Sequence, residues 1–189
     1  MRPQVELVHE LVRGIDPLDA LEAEHRHDTL RWLAGTDDVF RRAKPATPPR
    51  HLVSYVAVID HVDRSSLLVD HIDAGLWLPP GGHVEPDEHP ATAAGREARE
   101  ELTIDPVFVQ DPPRPSFLTV TRTVGADAGH TDVSLWFVLA GTRDMPVTVD
   151  PAEFTEARWW THEEVLRTDP HRLDPHYHRF ITKIDRPAP

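Results

Sequence analysis

The chain contains no cysteine and no asparagine, and lysine occurs only at Lys44 and Lys183. Without thiols it has no disulfide framework, no thiolate metal site and no cysteine nucleophile. Long apolar runs are missing as well: nothing approaches the ~20 residues that span a bilayer. The opening stretch MRPQVELVHELV places acidic residues where a signal peptide has its apolar segment. These absences predict a soluble, cytoplasmic protein with no membrane partner. Positive charge is scarce, with 20 Lys+Arg against 32 Asp+Glu and a formal net charge of -12. Such a surface disfavours nucleic acid and anionic lipid, whose binding depends on a basic patch that releases counterions. An anionic small molecule would need a metal ion or a local arginine to be held.

What is present suits one ordinary domain with an appendage. The chain has 189 residues, 39% hydrophobic and 28% charged, and its 19 prolines imply many turns. Leu7, Leu11, Leu18, Leu21, Leu30 and Leu33 recur at helical spacing, interrupted by GIDP, which predicts two amphipathic helices; DDVFRR reads as a short third piece. AKPATPPR, residues 43–50, is a proline-rich linker. It divides a helical N-terminal extension, residues 1–45, from a main domain, residues 50–186. Beyond it, HLVSYVAVI and SSLLVDHI flank the polar DHVDR as a hairpin or meander, and strands are predicted at DPVFVQ, SFLTVTRTV, DVSLWFVLA and EARWW. Helices are predicted over Pro90–Leu102, His162–Arg167 and His176–Ile184. Strands interspersed with helices, many joined directly, suggest a mixed sheet covered by helices, an α+β fold.

The chemistry concentrates in PPGGHVEPDEHPATAAGREAREELTI. Pro90 suits a first helical position, where no N–H is needed. From there Ala91, Ala94, Ala98 and Leu102 share one face, small enough to let the helix lie close on a sheet. Glu97, Glu100 and Glu101 fall together on the neighbouring face, and Arg96, four residues before Glu100, can pair with it. Clustered like charges destabilise a helix unless something compensates, and a hard divalent cation such as Mg²⁺ is the obvious compensator. A solvated acidic face is the bland alternative. Gly81 and Gly82 leave the preceding backbone bare, so that a carbonyl there can approach the same cation.

Read from Gly82, the order is Gly, five residues, Glu88, seven residues, then Arg96-Glu97-Ala98-Arg99-Glu100-Glu101-Leu102-Thr103-Ile104. This resembles the Nudix box of the MutT-like Nudix hydrolase family, with Thr103 where the family has glycine. A β-branched residue adopts the positive φ of such a helix exit only with strain. The resemblance implies a Nudix fold, a mixed sheet sandwiched between helices, over residues 50–186. It implies Mg²⁺ (or Mn²⁺) as cofactor and hydrolysis of a nucleoside diphosphate linked to another moiety, a metal-activated water attacking phosphorus. Carried over by position, Glu97, Glu101 and the Gly81 carbonyl would be metal ligands, and Glu100 a further metal ligand or a proton acceptor. Arg96 would orient the carboxylates and Glu88 would steady the loop. Glu153 and Glu156 are downstream candidates for the base. The rival is a Nudix-derived module that binds a nucleotide without cleaving it; the isomerase branch, whose members use a cysteine, does not suit a chain without one.

Weaker signals lie elsewhere. His130 and Asp132 in GHTD, together with Arg122, are candidates for substrate contact, against a reading of GHTD as a capped turn. Arg50 and Arg64 are further candidates for phosphate. His171, His176 and His178 fit surface histidines better than a zinc site, and Trp136, Trp159 and Trp160 fit the core. The N-terminal helices are candidates to cover the active site, to hold a homodimer together or to pack on the sheet.

Overall fold

In the computed structural model of the chain, residues 3–43, 47–123 and 129–186 are described. Linker residues 44–46 and the last residue of SFLTVTRTV, Val124, lie outside them. The N-terminal leucine periodicity forms two helices, α1 (Pro3–Arg13) and α2 (Ala20–Gly35). Asp19 starts the second by accepting the Glu22 N–H at 2.9 Å, which satisfies one of the donors that a helix start leaves unpaired.

Seven strands form one mixed sheet: β1 (Arg50–Asp60), β2 (Ser65–His71), β3 (Leu76–Leu78), β4 (Gly81–His83), β5 (Phe117–Arg122), β6 (Thr131–Ala140) and β7 (Phe154–Thr161). Helices α3 (Pro90–Leu102), α4 (His162–Arg167) and α5 (Tyr177–Ile184) and a 3₁₀ turn at Pro170–Arg172 complete the chain. β1 and β2 are a hairpin, as the polar DHVDR predicts: Asp60 accepts the N–H groups of Val62 and Asp63 across the turn.

β1 is the organising strand. β6 runs parallel to it along one edge, from Arg50↔Thr131 to Ile59↔Ala140. Its other edge is forked: Val58–Asp60 pair with β2, whereas Val53–Tyr55 pair with β4. Pro80 O accepts the Val56 N–H at 2.8 Å where the two partners diverge. Residues alternate across a strand, so β1 divides two cores. Leu52, Val56 and Val58 pack with α1, α3 and Leu33 of α2, while Ala57 and Ile59 pack with Trp136, Val165 of α4 and α5.

α2 covers the free edge of β5. Glu22, fully buried, accepts the Leu118 N–H at 3.2 Å, His25 Nδ1 accepts the Val120 N–H at 3.3 Å, and Lys183 of α5 reaches Glu22 at 2.7 Å. The N-terminal helices thus pack on the sheet and share its core.

Two predicted elements do not form. DPVFVQ makes one isolated bridge, Phe108↔Leu139, in place of a strand; Pro106, Pro112 and Pro113 bring no N–H to a ladder. DDVFRR is not helical. Asp38 Oδ1 accepts the Phe40 N–H and pairs with Arg42, a local alternative to helical bonding, and Val39 O accepts the Leu52 N–H beside β1.

Candidate active site

α3 lies on the β1 face that carries Ser54, whose hydroxyl donates to Pro90 O at 2.8 Å. Ala91, Ala94, Ala98 and Leu102 are buried against the sheet, which brings the carboxylate face over β4. Gly82 pairs with Ser54. A Cβ on Gly82 would sit 2.3 Å from Glu97 Oε1, so the absence of a side chain there is what lets Glu97 approach the strand. Gly81, at φ 152°, comes equally close: a Cβ would meet Ser54 O at 2.4 Å. Its N–H donates to Glu101 Oε2 at 2.9 Å, a contact that the spacing of the motif does not announce.

Arg96 is the hub of the cluster. Its Nε and Nη2 donate to the two oxygens of Glu88 at 3.1 Å each, and its Nη1 donates to Glu97 at 2.7 Å and to Glu100 at 3.0 Å. Nη2 also donates to His83 O at 3.1 Å. Glu88 accepts the Glu85 N–H at 3.0 Å, closing the loop between β4 and α3. Glu97 and Glu101 are buried at 7% and 8% exposure, whereas Glu100 faces solvent.

The electrostatics are those of a site short of positive charge. Burial pushes the Glu97 carboxyl up against the opposing pull of Arg96. Burial, and then the neighbouring Glu97 charge, push Glu101 up to about 8 despite the Gly81 hydrogen bond. The charge of exposed Glu153 adds to both. Among the described residues Arg96 is the cation in ion-pair contact with this group, and it is shared among Glu88, Glu97 and Glu100. The donor set fits a hard divalent cation, which takes carboxylate and carbonyl oxygens and would relieve both raised carboxyls.

A family model, NUDIX domain, matches residues 48–184, most of the chain and all of the sheet. The chain belongs to the NUDIX family. A MutT-like protein of Streptomyces ambofaciens is 41% identical to it over 31% of this chain and 38% of the relative. An RNA pyrophosphohydrolase of Gluconacetobacter diazotrophicus is 33% identical over 47% of this chain and 58% of the relative. The chain therefore spans well under two thirds of the length of these curated relatives. The crystal structure of a MutT NUDIX hydrolase from Burkholderia pseudomallei shares the NUDIX fold: TM-score 0.54 and 22% identity, over 70% of this chain and 96% of that one.

Other sequence candidates of this NUDIX domain fall away from α3. His130 and Asp132 meet His51 and His83 on the opposite face of the sheet. Arg122 is exposed at the end of β5. Arg50 pairs with Asp28 at 2.8 Å and stacks over Trp32, and Arg64 pairs with Asp185. Glu156 is exposed on β7. Trp136 and Trp160 are core residues, and Trp159 packs partly buried against the core. A cleft of about 1140 Å³ runs between α1 and residues 109–116 and reaches His89, but Glu97, Glu100 and Glu101 are not among its walls. No helix among the described residues is long and apolar enough to cross a membrane.

Proposed function

We propose that this NUDIX domain is a pyrophosphohydrolase that cleaves a small nucleotide or nucleotide-like compound, a nucleoside diphosphate linked to another moiety, with Mg²⁺ (or Mn²⁺) as cofactor. One observation carries the reading: two buried carboxyls, Glu97 and Glu101, stand together with raised proton affinity, and Arg96 pairs with the first of them but not with the second. Glu97, Glu100, Glu101 and the Gly81 carbonyl would hold the ion, which when bound neutralises phosphate oxygens and makes a water more acidic.

The chain's own residues do the rest. Arg96 fixes the Glu97 and Glu100 carboxylates relative to each other and, through Glu88, to the preceding loop. The Gly81 N–H orients Glu101. The charge of Glu153 bears on both buried carboxyls, which supports it over Glu156 as the acceptor of the attacking water's proton. The name of the G. diazotrophicus relative supports pyrophosphate chemistry. The net charge of -12 favours a small substrate over a polynucleotide.

The test is product release with Mg²⁺ or Mn²⁺ from nucleoside triphosphates, ADP-ribose, NADH, coenzyme A, nucleotide sugars and dinucleoside polyphosphates. At least one compound is expected to turn over, and Glu101→Gln to lower its kcat by about 10²–10³-fold, the usual cost of losing one preorganised charge-stabilising group. Metal-dependent release that survives Glu101→Gln would overturn the assignment. Binding of metal and nucleotide with no turnover of any compound would make the domain a binding module instead.

A further inference from the structure

Gly82 faces α3, so its neighbour His83 projects from the other face of β4. There His51 from β1, His83 from β4, and His130 with Asp132 from the start of β6 each present one ligand atom, all within 4.8 Å of one another. His51 Nε2 lies 3.1 Å from His83 Nε2 and 3.3 Å from Asp132 Oδ1, and His130 Nε2 lies 3.3 Å from the same oxygen. Four ligands at tetrahedral zinc distances stand about 3.3 Å apart. His51 and His130 are buried, at 0% and 4% exposure.

The surroundings of these atoms leave their lone pairs aimed inward. His51 Nδ1 is 2.9 Å from Pro48 O, a pure acceptor, so the proton sits on Nδ1 and Nε2 is a lone pair. His130 Nδ1 is 3.1 Å from Thr123 Oγ1, the arrangement that fixes a metal-binding imidazole from behind. Asp132 Oδ1 is buried and accepts no hydrogen bond: the two imidazole nitrogens 3.3 Å away, His51 Nε2 and His130 Nε2, turn lone pairs and not N–H groups toward it. A buried carboxylate oxygen without a donor is costly, and a cation shared with the imidazoles would satisfy it. Without metal, the His83 N–H can donate to His51 across their 3.1 Å gap, but Asp132 gains nothing from that bond.

We propose that His51, His83, His130 and Asp132 form a second metal site, on the opposite face of the sheet from the α3 carboxylates, that takes a first-row transition-metal ion, Zn²⁺ in particular. Three imidazoles and one carboxylate suit that ion, whereas Mg²⁺ prefers an all-oxygen shell. Filling all four positions makes the site structural: it clamps the starts of β1 and β6 to β4.

The full-length protein, stripped with a chelator and returned to millimolar Mg²⁺, is titrated with Co²⁺ and then Zn²⁺. The expected result is one Co²⁺ per chain with the intense visible absorption of a tetrahedral site, displaced by Zn²⁺. His83→Gln and Asp132→Asn should each weaken Zn²⁺ binding by at least about tenfold against a chromophoric chelator. Glu101→Gln should leave it unchanged, whatever it does to hydrolysis, so this inference and the proposed activity fail separately. Thermal melts of the metal-free variants establish that they are folded, and Asp132→Asn alone carries the test if His83→Gln does not fold. Absence of a tetrahedral Co²⁺ spectrum would overturn the site, as would a spectrum unchanged in both variants or one lost in Glu101→Gln. Unchanged Zn²⁺ affinity with a raised KM in these variants would also overturn it, making His83 and Asp132 substrate contacts.

Discussion

A methyl group added at Gly82 would collide with the far end of the Glu97 side chain, at 2.3 Å, and not with backbone. A flexible carboxylate can swing away at little cost to the fold, but it then leaves its place beside Glu101. Gly82→Ala is therefore expected to melt within a degree or two of the parent while kcat/KM falls by about 10²-fold, the scale of a 1 Å misplacement at a reacting centre. Thr103 presents the opposite case. It closes α3 in the left-handed region, φ 57° and ψ 37°, with its N–H capping Ala98 and Arg99. A β-branched residue there stores about 1–3 kcal/mol. Replacement by glycine relieves that strain, loses the exposed hydrogen bond to Thr148 O and frees the unfolded chain. We expect Thr103→Gly to raise stability by about 0.5–1 kcal/mol in urea unfolding, with activity unchanged.

At the scale of elements, the strand edge is the point of risk. β5 ends the sheet, and α2 meets its amide donors with side chains, Glu22 for Leu118 and His25 for Val120. Glu22→Ala would strand Lys183, the Leu118 N–H and the Leu18 N–H at once. The loss of one partner from a buried ion pair costs about 3–5 kcal/mol. Chemical denaturation should show that loss, and light scattering should show association through the uncovered edge. This edge contact could not be read from the chain, since Glu22 looks there like any polar residue of an amphipathic helix. By contrast α3 was legible to both ends: Pro90 opens it, and the alanine stripe and Leu102 set its buried face. DPVFVQ has the apolar pattern of a strand, but Pro106 within it and Pro112 and Pro113 just beyond it bring no N–H to a ladder, and its pairing with β6 stops at the one bridge. The imidazole cluster was missed because its ligands come from three separated segments. The period-two spacing of His130 and Asp132 was the one local sign that they share a face.

Across the whole molecule, buried charge sets a pH dependence. Asp174 is 6% exposed, follows the 3₁₀ turn, and accepts the His176 N–H at 2.8 Å. Burial pushes its carboxyl from 3.8 up to about 7. The ionisable groups coupled to it are the Tyr55 and Tyr177 phenols, both raised by burial and so neutral in this range. The folded state holds the Asp174 proton more tightly than the unfolded state does. The stability this gives is fully present below about pH 4 and is lost as pH rises toward 7. Asp174→Asn should flatten that slope and gain about 1–3 kcal/mol over the parent at pH 8, with little difference at pH 4, in paired urea titrations.

The cover that α2 gives to β5 also separates two units that are easily taken for one. The family model begins at residue 48, after both N-terminal helices, so the piece that can be recognised by descent is shorter than the piece that keeps its own sheet closed. A fragment cut at the recognisable boundary would carry every carboxylate of α3 and still be a molecule with an open seam. Inheritance follows the chemistry, and self-sufficiency here depends on the forty-odd residues in front of it.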